Sequence, residues 1–286
     1  MPFPFSLSSI RKLIQPAQHS TGAPQTVEPT IPLKGWREGG VSTVDRLSDK
    51  ELTELNEMLD WRAFITDSSG RRFGNRSSAR KRSEPQEIPD YRVVLMNECF
   101  GLSDRHVIEA GCFEGIHTIA LCQYAERVSA FDSRISNVVK TIVRCGLFGQ
   151  HPNVFTLDCD SPSSDASLMA SDCMFHVGVL YHLANPVEHL LSVGEHVRDG
   201  LLLDTHYATD DQATEVYQES GETYRFFRYK EGGYSDPFSG MTEFARWLTL
   251  EDLIKALKAS GFSQVDIIER RSERNGERVL LTAKRK

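Results

Sequence analysis

The chain has 286 residues, a formal net charge of −7, 40% hydrophobic residues and 26% charged residues. These values are ordinary for a globular protein and fit one large domain with an appendage, or two small domains. The net negative charge argues against a protein that mainly coats nucleic acid, and no apolar run approaches the roughly 20 residues that span a bilayer. Six scattered cysteines without a CxxC pair indicate reduced thiols, so we expect a cytoplasmic protein with no metal site and no membrane partner.

The chain divides into three parts. Residues 1–46 are rich in Pro, Ser, Thr and Gly without a clear period, which predicts a flexible or surface-packed leader. Residues 47–100 are predicted to form a helical and basic-loop extension, which is a possible lid. The main domain is placed at 101–286, with an insert at about 206–247.

The extension contains two predicted helices. The first covers 47–59, because Ser48 is a suitable N-cap, Glu51 follows three residues later, and leucines recur at helical spacing. The polar stretch 67–90 predicts a long loop or a lid, and 91–99 predicts the second helix.

The predicted loop carries six basic residues and no acidic one between Gly70 and Arg82: Arg71, Arg72, Arg76, Arg80, Lys81 and Arg82. Two interpretations are open, a solvated loop or a patch for a phosphate, a carboxylate or an RNA backbone. Phe73 is the only aromatic residue there, so a base-stacking surface is poorly supported.

The main domain alternates between strands and helices. Five short apolar runs predict buried strands: HVIEAG, RVSAF, VFTL, MFHVGVL and GLLLD. Residues 115–124 and 135–147 predict helices. The apolar stripe of the second consists of Ile135, Val138, Val139, Ile142 and Val143. Strands that are apolar throughout and separated by helices imply a parallel sheet covered on both faces.

The end of the chain adds a helix and two strands. Thr249 is a predicted N-cap, and QVDII and RVLLTA, joined by the polar stretch 270–278, predict a hairpin. The fold class is therefore α/β, a doubly wound sheet with a C-terminal antiparallel hairpin. For the aromatic-rich insert two interpretations stay open, because it either roofs a pocket or packs against the parent domain.

The segment EAGCFEG predicts a ligand-binding turn between the first strand and its helix. Gly111 allows a tight turn and close approach of the backbone to a ligand, and Gly115 brings the helix N-terminus near the sheet. Backbone N–H groups at such a helix end suit a carboxylate. Glu109, at the end of the strand, can engage an ammonium group directly or through water.

Two carboxylates follow the next two strands. Asp132 can accept hydrogen bonds from both hydroxyls of a ribose, as in NAD-binding folds. Asp160 is at a position to accept from an adenine amino group, and Asp158 competes with it for that role. A surface carboxylate at a strand end is the alternative interpretation of Asp132.

Polar aromatic side chains follow the fourth strand, in HVGVLYHLANP. Tyr181 and His182 come just after Gly178, and His206 follows the fifth strand. Ligands of open α/β sheets bind beyond the carboxyl ends of the strands, so these residues are predicted to meet there. His182 and His206 are candidate bases, and the alternative for His182 is a hydrogen bond to the backbone of its own turn.

Together EAGCFEGIHT, AFDSR, GVLYHLANPVEHL and LLLDTHYA resemble the class I S-adenosylmethionine (SAM)-dependent methyltransferases. Within that superfamily, GVLYH followed by a Pro-containing turn is similar to a branch that contains the tRNA uridine 5-oxyacetic acid carboxymethyltransferases and many small-molecule methyltransferases. The resemblance covers about residues 105–208 well and the C-terminal helix and hairpin loosely. It implies a seven-stranded Rossmann-like sheet and SAM as the cofactor.

The resemblance also implies site residues. The cofactor-binding set is Glu109, Gly111, Cys112, Phe113, Gly115, Asp132, Asp160 and Gly178. The catalytic set is Tyr181, near the transferred group, with His182 and His206. Phe113 departs from the pattern, since many relatives have a second glycine there, and this should narrow the turn.

The expected activity is methyl transfer to an O or N atom of a small-molecule or sugar-type metabolite, with a histidine as base for a hydroxyl acceptor. An alternative is a tRNA-modifying (carboxy)methyltransferase that uses residues 71–82. An NAD-linked oxidoreductase and a SAM-binding subunit without catalysis are further alternatives. The SAM assignment requires Asp132 to lie beside the Gly111 turn.

Overall fold

The fold comes from a computed structural model that describes residues 43–74, 84–161 and 165–286. Nearly all of the predicted leader lies outside these residues, as do Arg76, Arg80, Lys81 and Arg82 of the basic segment. The helices are α1 (Asp49–Met58), α2 (Tyr91–Phe100), α3 (Ile116–Tyr124), α4 (Ile135–Leu147), α5 (Pro186–His196) and α6 (Leu250–Ala259). The strands are β1 (Phe64–Thr66), β2 (Arg72–Gly74), β3 (His106–Ala110), β4 (Arg127–Asp132), β5 (Asn153–Thr156), β6 (Ser171–Val177), β7 (Val197–His206), β8 (Glu215–Glu219), β9 (Glu222–Lys230), β10 (Phe244–Leu248), β11 (Gln264–Glu273) and β12 (Gly276–Lys284).

The central sheet has seven strands in the order β11-β12-β7-β6-β3-β4-β5. The pairs from β7 to β5 are all parallel, whereas β12 runs antiparallel to both β7 and β11. The predicted doubly wound sheet with a C-terminal antiparallel hairpin is confirmed. Strand order reverses between β3 and β6, and a ligand site is expected at the carboxyl ends of the strands there.

Each face of the sheet has its own hydrophobic core. One core joins β3 to α1, α2, α3 and α4. The other joins β6 and β7 to α5, α6 and β9 of the insert. The two cores cover the faces of the sheet. The edge formed by the carboxyl ends of the strands is not covered by them, and we call it the open edge.

Helix α4 buries several polar side chains in place of most of the predicted apolar stripe, of which Val138 is buried. Three side chains of that stripe are exposed by 40–59%: Ile135, Val139 and Ile142. Asn137, Lys140 and Arg144 are buried instead. The physical reason is that two carboxylates, Asp132 and Glu114, are buried beneath this helix and take their partners from it.

The described part of the extension contains regular structure within the predicted loop. Ser48 and Glu51 form the predicted capping box of α1, but part of the predicted loop is a short hairpin in which β1 pairs with β2. Arg71 is engaged internally, with Nε 2.7 Å from Asp67 and Nη1 2.9 Å from Asp49. Arg71 is therefore a structural residue of the extension, which weakens its assignment to a basic patch.

The insert forms its own three-stranded antiparallel sheet in the order β10-β9-β8. Tyr224 and Phe226 of β9 are buried against the main domain, and the loop before β10 reaches the open edge of the central sheet. The insert therefore packs against the main domain through β9 and contributes a loop to the open edge. Among the described residues, no helix has the length and apolarity needed to traverse a bilayer.

Candidate active site

The turn after β3 packs closely against the segment that follows β6. Gly111 has a φ of +67°, and a Cβ at this position would lie 2.3 Å from Cγ2 of Val179. The Cys112 amide donates to the carbonyl of Phe131 at 2.9 Å, which fixes the turn to β4. Phe113 also has a positive φ, of 51°. The residue that replaces the expected second glycine thus keeps the backbone region that glycine favours.

Asp132 lies directly against this turn. Its Oδ2 accepts the amide N–H of Phe113 at 3.1 Å, while Oδ1 accepts the amide of Arg134 at 2.9 Å and Nδ2 of Asn137 at 3.1 Å. Burial raises the pKa of Asp132, although these donors favour its charged form. The required contact between Asp132 and the Gly111 turn is present.

The two carboxylates after β5 lie at the neighbouring strand end. Asp160 accepts the amide N–H groups of Ala184 at 2.9 Å and Asn185 at 2.8 Å, where α5 begins. Burial raises the pKa of Asp160. Asp158 accepts the amide of Asp160 at 3.1 Å. Because each carboxylate oxygen accepts about two hydrogen bonds, both residues keep acceptor capacity for a ligand.

Tyr181 and His182 follow β6 in a single 3-10 turn, Leu180–His182. Nδ1 of His182 lies 2.8 Å from Oε1 of Glu231, which belongs to the insert. The ring of His182 therefore contacts a carboxylate rather than the backbone of its own turn. Tyr181 packs on His182, with ring centroids 4.2 Å apart.

His206 lies behind Tyr181. Its ring stacks on Trp247 at 4.8 Å and meets Tyr181 edge-on at 4.8 Å, and its side chain is 2% exposed. Burial and the nearby Arg278 lower the pKa of His206. The predicted catalytic role of His206 stays a prediction, with Tyr181 interposed.

Glu109 points into the protein. It accepts a hydrogen bond from Thr118 and lies 3.6 Å from Nδ1 of His117. Burial opposes protonation of His117, but hydrogen bonds to Asp90 and Glu109 outweigh burial and raise its pKa. The predicted cofactor role of Glu109 also stays a prediction, with His117 between its carboxylate and the open edge.

Arg134 binds the insert at the carboxyl ends of the strands through hydrogen bonds. It is 9% exposed, and its guanidinium donates to main-chain carbonyls of the loop between β9 and β10. These carbonyls belong to Gly233, Tyr234, Asp236, Ser239 and Gly240, at 3.0–3.4 Å. The loop that Arg134 holds supplies residues 237–241 to the site.

All these elements surround one cleft with a volume of about 730 Å³. The predicted site residues that line it are Gly111, Cys112, Phe113, Asp132, Asp160, Gly178, Tyr181 and His182. Glu109, Gly115 and His206 do not line it; Gly115 supports the turn from behind, where its amide donates to Cys112 at 2.8 Å. Within the described parts of the chain, no three His, Cys, Asp or Glu side chains are arranged to hold a metal ion.

Solved structures share this architecture. The N-terminal domain of EvdMO1, crystallised with S-adenosylhomocysteine (SAH) and D-fucose, aligns with a TM-score of 0.69 at 20% identity, over 86% of this chain and 100% of that domain. The same domain with SAH bound gives a TM-score of 0.70 at 20% identity, over 84% of this chain and 98% of that one. The chain has the class I SAM-dependent methyltransferase fold.

Two curated sequence relatives of this methyltransferase-fold chain are named tRNA U34 carboxymethyltransferase. The protein from Tolumonas auensis is 26% identical over 171 residues, which are 59% of this chain and 47% of that protein. The protein from Cellvibrio japonicus is 33% identical over 107 residues, 36% of this chain and 33% of that protein. The chain thus spans about half or less of the curated relatives it matches, and no family model matches it. The resemblance drawn from the motifs is confirmed.

Sequence reasoning missed several side chains of the cleft, among them three arginines: Arg92, Arg134 and Arg278. Arg134 stands in AFDSR directly after Asp132, where a charge beside a strand end was a usable signal. Arg92 and Arg278 line the cleft from α2 and β12 and meet at Asp204 of β7. Arg92, Asp204 and Arg278 are far apart in the chain, and no motif in the sequence indicates that they meet.

The Asp204 cluster predicts a loss of stability in acid. Asp204 is fully buried and accepts from Arg92, Arg271 and Arg278 at 2.6–3.0 Å. Burial alone would raise the pKa of Asp204, but the three guanidinium groups outweigh it and lower the pKa. The unfolded chain therefore binds the proton first, and the stabilisation present above about pH 4 is lost as the pH falls through the folded-state pKa.

Urea unfolding at a series of pH values tests this prediction. Asp204→Asn should be less stable than wild type at pH 7, and the difference should shrink as the pH falls below about 4. Asp104→Asn is the control, because that side chain is 82% exposed. A stability difference that stays constant across the series would contradict the role given to the Asp204 charge.

Proposed function

We propose that the chain is a SAM-dependent methyltransferase that methylates an O or N atom of a small-molecule or sugar-type metabolite. The observation that carries the proposal is the 3.1 Å hydrogen bond from the Phe113 amide to Asp132. This hydrogen bond brings two features together in one cleft. The glycine turn at Gly111 suits a carboxylate, and Asp132 suits the hydroxyls of a ribose. The SAH-bound fold neighbours support the same cofactor.

The residues of the cleft fit SAM. The bare backbone of Gly111 packs against Val179, and both residues line the cleft. Asp132 offers a charged acceptor, with Asp158 and Asp160 at the next strand end. The cleft volume of about 730 Å³ falls within the range of small-molecule sites. When bound, SAM supplies a methyl group that its sulfonium charge has already activated.

The work left to the protein is to hold the acceptor in line and to exclude water. Tyr181 forms one wall of the cleft beside the sheet edge, and residues 237–241 of the insert cover it. Arg134 keeps this cover in place. His182 is the side chain on that wall that can take a proton from an acceptor.

A second candidate is carboxymethyl transfer with a carboxylated SAM. It is favoured by the arginines that line the cleft, Arg92, Arg274 and Arg278. Arg278 lies over the ring of Tyr181, with the guanidinium carbon 5.3 Å from the ring centroid. The names of the curated relatives point the same way. A tRNA substrate would add a dependence of RNA binding on salt concentration.

Calorimetry on the full chain with SAM, SAH, carboxylated SAM and NAD tests the proposal. We expect SAM and SAH to bind and NAD not to bind. Binding of NAD without SAM would overturn the methyltransferase assignment in favour of an oxidoreductase. Tighter binding of carboxylated SAM than of SAM, by about tenfold or more, would favour the second candidate.

We also propose a cytoplasmic location. All six cysteines are free, and Cys112, Cys145 and Cys173 are buried. Free thiols are typical of a reducing compartment.

A further inference from the structure

The pair formed by His182 and Glu231 fixes the proton on the imidazole. Oε1 of Glu231 lies 2.8 Å from Nδ1 of His182, and Oε2 accepts the amide N–H of Gly240 at 3.2 Å. The Glu231 side chain is 2% exposed. Because an ionised carboxylate only accepts hydrogen bonds, the Nδ1 of His182 must be the protonated nitrogen. Nε2 of the neutral ring then keeps its lone pair.

The second ring nitrogen of His182 is open to a ligand. Across residues 43–74, 84–161 and 165–286, no side chain or backbone group hydrogen-bonds to Nε2. The His182 side chain lines the cleft and is 21% exposed. An oriented, unprotonated nitrogen at a cleft wall is the geometry of a general base.

The other two histidines near the cleft lack this geometry. Both ring nitrogens of His117 lie 3.6 Å from carboxylates, and hydrogen bonds to these carboxylates raise its pKa in spite of its burial. His206 does not line the cleft, and its Nδ1 donates to the carbonyl of Glu277 at 3.1 Å. Of the described histidines around the site, His182 has the arrangement of a base.

We propose that Glu231 is a positioning residue that holds His182 as the general base, and that the acceptor is a neutral aliphatic or sugar hydroxyl. This rests on the proposed SAM-dependent function and names its substrate class. The acceptor oxygen forms a bond to the methyl carbon while the bond from that carbon to sulfur breaks, with its electron pair going to sulfur. The hydroxyl proton goes to Nε2 of His182. The products are a methyl ether, SAH and an imidazolium that Glu231 stabilises.

The need for a base distinguishes a hydroxyl acceptor from an amine acceptor. An aliphatic hydroxyl is protonated at neutral pH, and its oxygen becomes a good nucleophile only as the proton leaves. A neutral amine attacks through its own lone pair and needs no base before the bond forms. A histidine oriented by a buried carboxylate is therefore of use mainly to a hydroxyl acceptor.

Several titratable or charged groups surround His182. Glu231 faces it from the insert and Tyr181 from its own turn. Behind Tyr181 lie His206 of β7 and Arg278 of β12. A pH profile of the activity would combine the effects of all these groups. The tautomer of His182 reports directly on its contact with Glu231.

The first experiment is NMR on the full chain labelled with ¹⁵N-histidine, with His182 assigned through His182→Gln. We expect wild type to carry the proton on Nδ1. In Glu231→Ala the proton should move mainly to Nε2, which free histidine prefers. Glu215→Ala is the matched control, because Glu215 is also in the insert but pairs with the half-exposed Arg228 at 2.9 Å; its His182 signals should not change.

The second experiment measures SAH release from SAM with two panels, neutral sugars with simple alcohols and primary amines. We expect turnover in the hydroxyl panel, lowered about 10²-fold or more by Glu231→Ala and by His182→Ala. SAM affinity by calorimetry should change by less than about 2-fold in both variants.

The outcomes separate the two proposals. If wild type does not bind SAM, the proposed function fails. If SAM binds but wild-type His182 carries its proton on Nε2, the inference about Glu231 is overturned whatever the panels give. Turnover with amines alone, or full kcat in Glu231→Ala, would overturn it as well.

Discussion

Replacing Gly111 by alanine is expected to weaken SAM binding by about tenfold or more. The new Cβ would lie 2.3 Å from Cγ2 of Val179, and the backbone would keep a φ of +67°. Overpacking that displaces side chains and backbone costs about 1–3 kcal/mol, and 1.4 kcal/mol is tenfold in affinity. Gly111 and Val179 both line the cleft, so the displacement falls on the binding surface.

Gly101→Ala is the matched control for this substitution. Gly101 has a similar φ of +62°, but a Cβ there meets nothing within 4 Å. Calorimetry with SAM on wild type and both variants separates steric contact from backbone strain. We expect Gly101→Ala to bind like wild type. Unchanged affinity in Gly111→Ala would remove the turn from the cofactor site.

Replacing Glu114 by glutamine is expected to lower the free energy of unfolding by about 3–5 kcal/mol. Glu114 is fully buried and accepts the amides of Arg62 at 2.7 Å and Ala63 at 2.9 Å. It also lies 3.0 Å from Nζ of Lys140 and 3.3 Å from Nη2 of Arg144. The substitution leaves two buried cations without their counter-charge.

Arg144 makes the effect of Glu114→Gln large. Its Nε and Nη1 have no hydrogen-bond partner in the part of the chain that is described. The guanidinium lies between the rings of Trp61 and Phe73, at 4.5 and 4.8 Å. Burial lowers the pKa of Arg144 to about 10, although Glu114 opposes this shift. Without Glu114 the desolvation of Arg144 has little to offset it.

Urea unfolding followed by far-UV circular dichroism measures this loss. Glu126→Gln serves as the control, because Glu126 is exposed and follows α3; it should unfold like wild type. Equal midpoints for wild type and Glu114→Gln would show that the extension is not held to the domain by this carboxylate.

Features that depend on local pattern could be predicted from the sequence. The capping box at Ser48 and Glu51 needs only four residues in a row, and the apolar strands of the sheet are continuous runs. The sheet of the insert was missed because exposed and partly buried residues alternate in β8, and β9 has only two buried residues, Tyr224 and Phe226. Such strands lack the continuous apolar run that identified the others.

Features that depend on distant partners could not be predicted. The periodicity of α4 was recognised, but the side that faces inward is set by buried carboxylates of the β3 turn and of β4, outside the helix. His182 was identified as a candidate base, whereas its partner Glu231 is 49 residues away in the chain. The sequence identified the side chains of chemical interest, and only the fold shows which of them meet.

The attachment of the insert by Arg134 has an evolutionary consequence. Arg134 bonds to main-chain carbonyls, and every amino acid provides such a carbonyl whatever its side chain. Residues 237–241 can therefore be substituted while the loop keeps its position relative to the strands. Related proteins would then diverge in acceptor preference along this loop, while the half of the cleft formed by Gly111 and Asp132 stays unaltered.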